Sequence, residues 1–270
     1  MSCVFFYLFT GNYNLVFKKQ NQPFYIEGFF LKMPYKVMIV ESVDSTQKQE
    51  ISKVIDDTFL EIDENFNFFK KDSILSKINR NEKFEINSSK IFRNLILHAR
   101  EIHEFSEKRF DPTCGIFKNQ LDQLDQLDRL DNNKSKLIGF DKIFIKNDNI
   151  LKTDPKITLD LSGIAKGYAI DLILEKIKKF GYKNIFVSWG GEIKVMGKNF
   201  KNLPWQIQLN TCIDNDKQIP FSIISLENRA IATSGSFMPI RNLKNNSHII
   251  CPISKKPVKT SFNISSVSVI

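Results

Sequence analysis

The chain has 270 residues, 42% of them hydrophobic and 26% charged, enough to bury one large core or two small ones. Its formal charge is 39 − 30 = +9. The lysines are scattered among Asn, Ile and Phe rather than gathered into a block, which argues against a nucleic-acid stripe; a basic surface still attracts an anionic nucleotide or a membrane face. Cys3, Cys114, Cys212 and Cys251 lie far apart with no C-x-x-C spacing, and no two of the three histidines are paired, so neither a disulfide framework nor a zinc hydrolase is indicated.

Residues 1–28 read as a leader or tether, and residues 29–270 as a single domain. The apolar run Cys3 to Phe9 ends at Thr10-Gly11-Asn12, too short for a transmembrane helix. It also lacks a basic n-region and a cleavage site. Two readings stay open: an apolar N-terminus with no set structure, or a Cys3 that carries lipid in a lipoprotein whose start lies upstream. Phe29 to Val40 contains two strand-like pieces around Met33-Pro34-Tyr35, and Pro34 would place them at an edge or a bulge. Ser45 to Phe68 is predicted helical, with Thr46-x-x-Gln49 as a capping box and Ile51, Val54, Ile55, Thr58, Ile62 and Phe66 on one face. A short helix, Asp72 to Asn79, follows. A second long helix is predicted from Ser88 to Glu107, with Ile91, Leu95, Ile102 and Phe105 inward, His98 on that face and His103 beside it. The turn Arg109-Phe-Asp-Pro-Thr-Cys-Gly115 ends this half. Residues 118–136, with Leu-Asp-Gln repeated, read as a surface insertion that is partly helical.

Phe140 to Leu151 and Lys156 to Leu161 look like strands leading into Leu159-Asp-Leu-Ser-Gly-Ile-Ala-Lys-Gly-Tyr-Ala-Ile-Asp171. Here a buried strand is expected to turn into a helix, with Gly181 as its stop. Such a junction offers free N–H groups and a positive dipole end. Gly163 and Gly167 let backbone approach a ligand, Lys166 adds a charge, and Asp171 lies one turn beyond Gly167 on the same face. The pattern suits a phosphate group with an adjacent polar moiety. It equally suits a helix packed on a sheet through two glycines, with Lys166 in solvent. Strands are then predicted at Asn184 to Trp189, Glu192 to Met196, Trp205 to Asn210, Phe221 to Leu226 and Ser265 to Ile270. Gly190-Gly191 interrupts the first two, and Ile231 to Phe237 reads as a small-residue turn. Hairpin-ordered strands with segregated helices indicate an α+β fold.

The ordered set Asp72-Ser-Ile-Leu-Ser-Lys-Ile-Asn79, Phe110-Asp-Pro-Thr113, Leu159 to Asp171, Gly190-Gly-Glu192, Ala232-Thr-Ser-Gly235 and Ser247-His-Ile-Ile-x-Pro252 resembles the ApbE family of FAD:protein FMN transferases. The resemblance runs from about residue 30 to the last residue. It implies an α+β, T-fold-type arrangement of mixed sheets with FAD in a cleft between two halves. It further implies metal-dependent transfer of FMN from FAD to a Thr or Ser hydroxyl of a partner flavoprotein, with AMP released. Pyrophosphate cleavage needs charge neutralisation, in-line approach of a hydroxyl and removal of its proton. By resemblance, the Ala165 carbonyl is a ligand of Mg2+. His248 is the proton acceptor, a side chain suited to base work near neutral pH. The backbone around Gly163, Lys166 and Gly167 lies near the diphosphate, and Gly190 and Gly191 also belong to the cofactor-binding residues. Asp171 holds ribose or adenine together with Thr233, Ser234 and Gly235. Asp111 and Thr113 either bond polar atoms of the flavin or position their loop.

The sequence departs from the family at Met33-Pro34-Tyr35, where the family has Met-Gly-Thr, and past Ser-Val-Ser-Val, where the family supplies an Asp and, four residues later, a Thr as metal ligands. The domain is therefore expected to be C-terminally truncated, with low stability. Two alternatives stay open beside the transferase: a non-catalytic FAD-binding remnant, and a hydrolase giving FMN and AMP. The resemblance also implies an acceptor in a membrane electron-transfer complex, peripheral membrane association and a place on the periplasmic side of a bacterial inner membrane, with no nucleic-acid partner.

Overall fold

A computed structural model describes residues 23–80, 83–116, 132–213, 217–235, 246–259 and 266–270. Cys3, the leader up to residue 22 and most of the Leu-Asp-Gln insertion lie outside the described residues. The chain divides into two compact units, one made of Met1–Phe59, Lys166–Phe237 and Val267–Ile270, the other of Leu60–Ala165 and Met238–Ser266. Strands are paired antiparallel; helices alternate with strands up to α5 (Ser162–Lys178), and only strands follow it among the described residues, a mixed α+β fold. Among the described residues no helix is long and apolar enough to cross a membrane.

The first unit is built on a six-stranded sheet in the order β1-β2-β6-β7-β10-β13. These strands are β1 (Phe24–Phe30), β2 (Met33–Ile39), β6 (Ile185–Trp189), β7 (Glu192–Met196), β10 (Ala230–Gly235) and β13 (Ser266–Val269). All five residues of β6 are buried, because both faces of the sheet are covered. On one face Phe59, from helix α1 (Ser45–Phe66), packs between Phe30 at 4.4 Å and Trp189 at 5.3 Å. On the other, Met38, Phe186, Ile193, Val195 and Ile231 meet Trp205, Ile207 and Leu226 from the hairpin β8 (Trp205–Ile213) and β9 (Lys217–Leu226). Helix α5 (Ser162–Lys178) buries Ala169, Ile170, Ile173, Leu174 and Ile177, and the turn that follows it closes at Gly181, which has the positive φ expected of a stop, +92°, and donates its N–H to the Lys178 carbonyl.

The second unit holds α2 (Ile74–Arg80), α3 (Lys90–Phe105) and the short α4 (Asn132–Ser135). It also carries a three-stranded sheet, β3 (Glu85–Asn87), β5 (Asn149–Lys152) and β4 (Ile143–Lys146), and the pair β11 (Asn246–Cys251) and β12 (Lys256–Lys259). Phe66, in the last turn of α1, stacks on Phe92 of α3 at 5.5 Å.

Five sequence expectations need correction. The capping box of α1 is Asp44–Gln47, two residues before the expected one: Gln47 N donates to Asp44 Oδ1 at 2.8 Å and Asp44 N to Gln47 Oε1 at 3.0 Å. The buried face of α3 is Phe92, Leu95, Ile96, Ala99 and His103. Phe105 is 92% exposed and His98 also faces outward, because the Ser89 Oγ cap, which accepts from Phe92 N, and the Phe66–Phe92 stack set the helix one residue round from the expected stripe. Pro34 is on an interior strand, yet it precedes the stretch paired with β6, which begins at Tyr35 opposite Trp189, so its missing N–H breaks no ladder. Ala232 to Gly235 continues strand β10 instead of forming a turn, held by Ile231 opposite Ile193 and by Thr233 on Ser268 of β13. Residues 157–161 form no strand, because side chains and a loop carbonyl take their backbone groups.

Candidate active site

The glycines of the central motif lie inside α5 and not before it. Asp160 Oδ1 accepts from Ser162 N at 2.9 Å and the Leu161 carbonyl accepts from Ile164 N and Ala165 N, so the first turn starts at Ser162. A Cβ on Gly163 would meet only Phe110, at 3.5 Å, and a Cβ on Gly167 would meet nothing within 4 Å. Gly167 therefore presents bare helix backbone to open space, where a ligand can come close. Helix propensity alone would favour Ala there by about 1 kcal/mol. Gly167→Ala is expected to raise the unfolding free energy by up to about that amount, which a thermal melt checks.

Lys166 is turned toward the sheet. Its Nζ donates to Glu192 Oε2 at 2.7 Å and to the Gly190 carbonyl at 3.2 Å. Gly190 and Gly191 form the two-residue turn between β6 and β7, with φ of +56° and +102°, as a type I′ hairpin requires. A side chain at Gly190 would also strike Met33 Sδ at 2.9 Å, and Gly190 N donates to the Pro34 carbonyl at 3.0 Å. Met33-Pro34 thus packs against the Gly-Gly turn. Burial pushes the Glu192 carboxyl up, and the Lys166 ammonium draws it part of the way back. Two residues along the same face of β7, Lys194 pairs with Asp171 of α5 at 2.8 Å. Helix and strand therefore carry crossed charges, Lys166 to Glu192 and Asp171 to Lys194. Strand β10 runs from Ile231, opposite Ile193, toward the Gly190-Gly191 end of β7 and brings Thr233, Ser234 and Gly235 with it. Thr233 Oγ1 lies 2.8 Å from Ser268 Oγ.

In the other unit, Asp111 and Thr113 close a loop upon itself. Asp111 Oδ1 accepts from Thr113 N at 2.8 Å and Thr113 Oγ1 at 2.5 Å, and Oδ2 accepts from Phe140 N at 3.1 Å. Thr113 Oγ1 accepts from Gly139 N at 2.8 Å. Both side chains are buried, and these bonds join residues 111–113 to the turn before β4. His103, also buried, is bonded through Nδ1 to the Phe110 carbonyl at 2.7 Å. The neighbouring Cys114 thiol is pushed up to about 12, first by burial and then by Asp111, so it stays protonated. His248 lies in β11, placed there by its backbone.

Comparison with known proteins decides what this arrangement belongs to. A sequence model of the ApbE family matches residues 31–270. The chain belongs to the ApbE family. It is 34% identical over 258 residues to the FAD:protein FMN transferase of Chlamydia muridarum, covering 90% of this chain and 78% of that one. It is 26% identical over 273 residues to the enzyme of the same name from Haemophilus influenzae, covering 94% and 77%. Among solved structures, the flavin transferase ApbE from Vibrio cholerae superposes with a TM-score of 0.77 at 24% identity, covering 92% of this chain and 81% of that one. Pseudomonas stutzeri flavinyl transferase ApbE gives the same TM-score at 22% identity, covering 92% and 78%. These two likenesses show that the α+β fold is that of the ApbE structures.

The metal that membership suggests meets a poor donor set. Among the described residues no three His, Cys, Asp or Glu side chains converge to hold an ion. Ala165 offers one carbonyl, inside a helix. A magnesium ion wants carboxylate charge in near-octahedral geometry, so these residues do not make a site and no step below runs through a metal. The reading of motifs included Glu192 in Gly190-Gly-Glu192 without giving its side chain a part, and it passed over Lys194. Their signal was present in the alternation of β7, which places charged residues at 192 and 194 on the phase opposite Ile193 and Val195.

Proposed function

We propose that this chain is a FAD:protein FMN transferase, moving the FMN half of FAD onto a Thr or Ser hydroxyl of a partner flavoprotein and releasing AMP. The observation that carries the reading is the placing of Lys166. Its ammonium is held between Glu192 and the Gly190 carbonyl, one residue from the bare backbone of Gly167, in a chain 34% identical to an enzyme named for this reaction.

In the proposed reaction the acceptor oxygen bonds to the phosphorus of the FMN half. The bond from that phosphorus to the bridging oxygen breaks, AMP leaves with the electron pair, and the hydroxyl proton passes to His248. Lys166 faces the negative charge that gathers on the leaving phosphate, where a fixed cation in a partly dry site acts more strongly than in water. Glu192 holds it there through a charge-assisted bond until the diphosphate arrives. Asp171, Thr233 and Ser234 are proposed to receive the ribose and adenine.

The test is incubation with FAD and Mg2+, with and without a Thr-bearing acceptor domain, following AMP and covalent flavin fluorescence. AMP with a fluorescent acceptor is the expected result. AMP without labelling would replace the transferase by a hydrolase. Bound FAD with no AMP would leave a binding protein.

A further inference from the structure

Strand β5 alternates inward at Ile150 and Lys152, so it sends a lysine into the interior of its unit, 3% exposed. Its Nζ donates to the carbonyls of Ile78 at 2.9 Å, Pro155 at 2.6 Å and Ile157 at 3.2 Å. An ammonium has three protons to donate, and each of these three carbonyls accepts from it. Burial pushes the amine down to about 8, with Asp154 pulling the other way, so the three-proton form prevails at neutral pH.

The carbonyls belong to the end of α2 and to the segment 153–161 that leads into α5. That segment is tied at several further points. Asn79 bonds Leu159 twice, Nδ2 to its carbonyl at 2.8 Å and Oδ1 from its N–H at 2.7 Å. Asp160 N donates to the Pro112 carbonyl at 2.7 Å, and a Cβ on Gly115 would come within 2.8 Å of the same nitrogen. Asp160 then caps Ser162, and α5 begins. Without sheet pairing, the entry to α5 takes its course from these side chains.

We propose that Lys152 is a positioning residue: by gathering the Ile78, Pro155 and Ile157 carbonyls, with Asn79 clamping Leu159, it fixes the start of the helix that presents Lys166 and Gly167. Its structural part stands on the geometry alone, and its consequence for catalysis rests on the transferase reading. The nature of the side chain decides the effect. A methionine fills the same volume but offers no donor, so three carbonyls, those of Ile78 and Ile157 in buried contacts, lose this partner and the segment is freed to move toward water.

The experiment compares the full chain with Lys152→Met by amide hydrogen exchange and by kinetics of AMP release from FAD. Exchange at Ile157, Leu159 and Asp160 is expected to rise at least tenfold, while α3 and β6 keep wild-type protection. The turnover number for AMP release is expected to fall about tenfold, with KM for FAD changed less than threefold. Wild-type protection of 157–160 would overturn the proposal, as would a uniform rise across α3 and β4–β5, which is what loss of general stability produces. Should Lys152→Met fail to fold, Asn79→Ser frees Leu159 from the other side, and the same local exchange decides. If the wild-type chain releases no AMP, the transferase reading fails while the exchange result still decides the positioning role.

Discussion

His248→Ala is expected to lower flavin transfer by about 10²- to 10⁴-fold while leaving FAD affinity unchanged. A neutral hydroxyl is a poor nucleophile, and attack on phosphorus needs its proton removed as the new bond forms. Imidazole performs that task near neutral pH. His248 stands in the Ser247-His-Ile-Ile-x-Pro252 motif on β11. Of the other two histidines, His103 is buried against the Phe110 carbonyl, and His98 lies on the surface beside Glu101. The measurement is single-turnover labelling of a Thr-bearing acceptor, with a flavin titration run in parallel. AMP release and labelling at the wild-type rate in His248→Ala would remove it from the chemistry. A loss of FAD binding equal to the loss of rate would make it a binding residue instead.

Lys166→Met is expected to lower kcat/KM by about 10²- to 10³-fold, the range seen when one preorganised group facing developing charge is lost. It also removes the cation from Glu192, whose side chain is 13% exposed. The carboxyl already titrates above its usual range through burial, and without Lys166 nothing in the pair draws it back. A buried polar group left without its partner costs about 1–3 kcal/mol, so the variant is also expected to melt earlier. Adding Glu192→Gln separates the two effects. The amide needs no cation, so the double variant should recover most of the stability and none of the activity. Recovery of both would mean that Lys166 serves the fold alone. Retained activity in the single variant would place the charge that faces the diphosphate elsewhere.

Much of this was legible in the residue order. The strand–turn–strand pattern around Gly190-Gly191 became the β6–β7 hairpin, because two residues at positive φ are what glycine supplies most easily. Gly181 closes the turn after α5 for the same reason. The α3 stripe was misread by one residue, because Ile91, Leu95, Ile102 and Phe105 are as apolar as the set that packs. Which stripe turns inward depends on the Ser89 cap and on what Phe66 offers as a neighbour. Ala232 to Gly235 looked like a turn from its small residues, yet pairing with the neighbouring strand outweighs weak local preference. Residues 156–161 looked like a strand, but the Asn79 side chain and the Pro112 carbonyl take backbone groups of Leu159 and Asp160 that a ladder would use.

By itself the sequence determined the family, the α+β class and the short motifs that chemistry would use, because each is a run of neighbours read along the chain. Only the tertiary structure decided what those motifs touch. It paired Lys166 with Glu192, 26 positions away, and Asn79 with Leu159, 80 positions away. It turned the Asp111 carboxylate onto Thr113 and Phe140 in its own unit, and it placed Lys152 on three carbonyls. Periodicity shows which face of an element is apolar. The partner of a polar group depends on which distant backbone comes within 3 Å, and that is set only when the whole chain has packed.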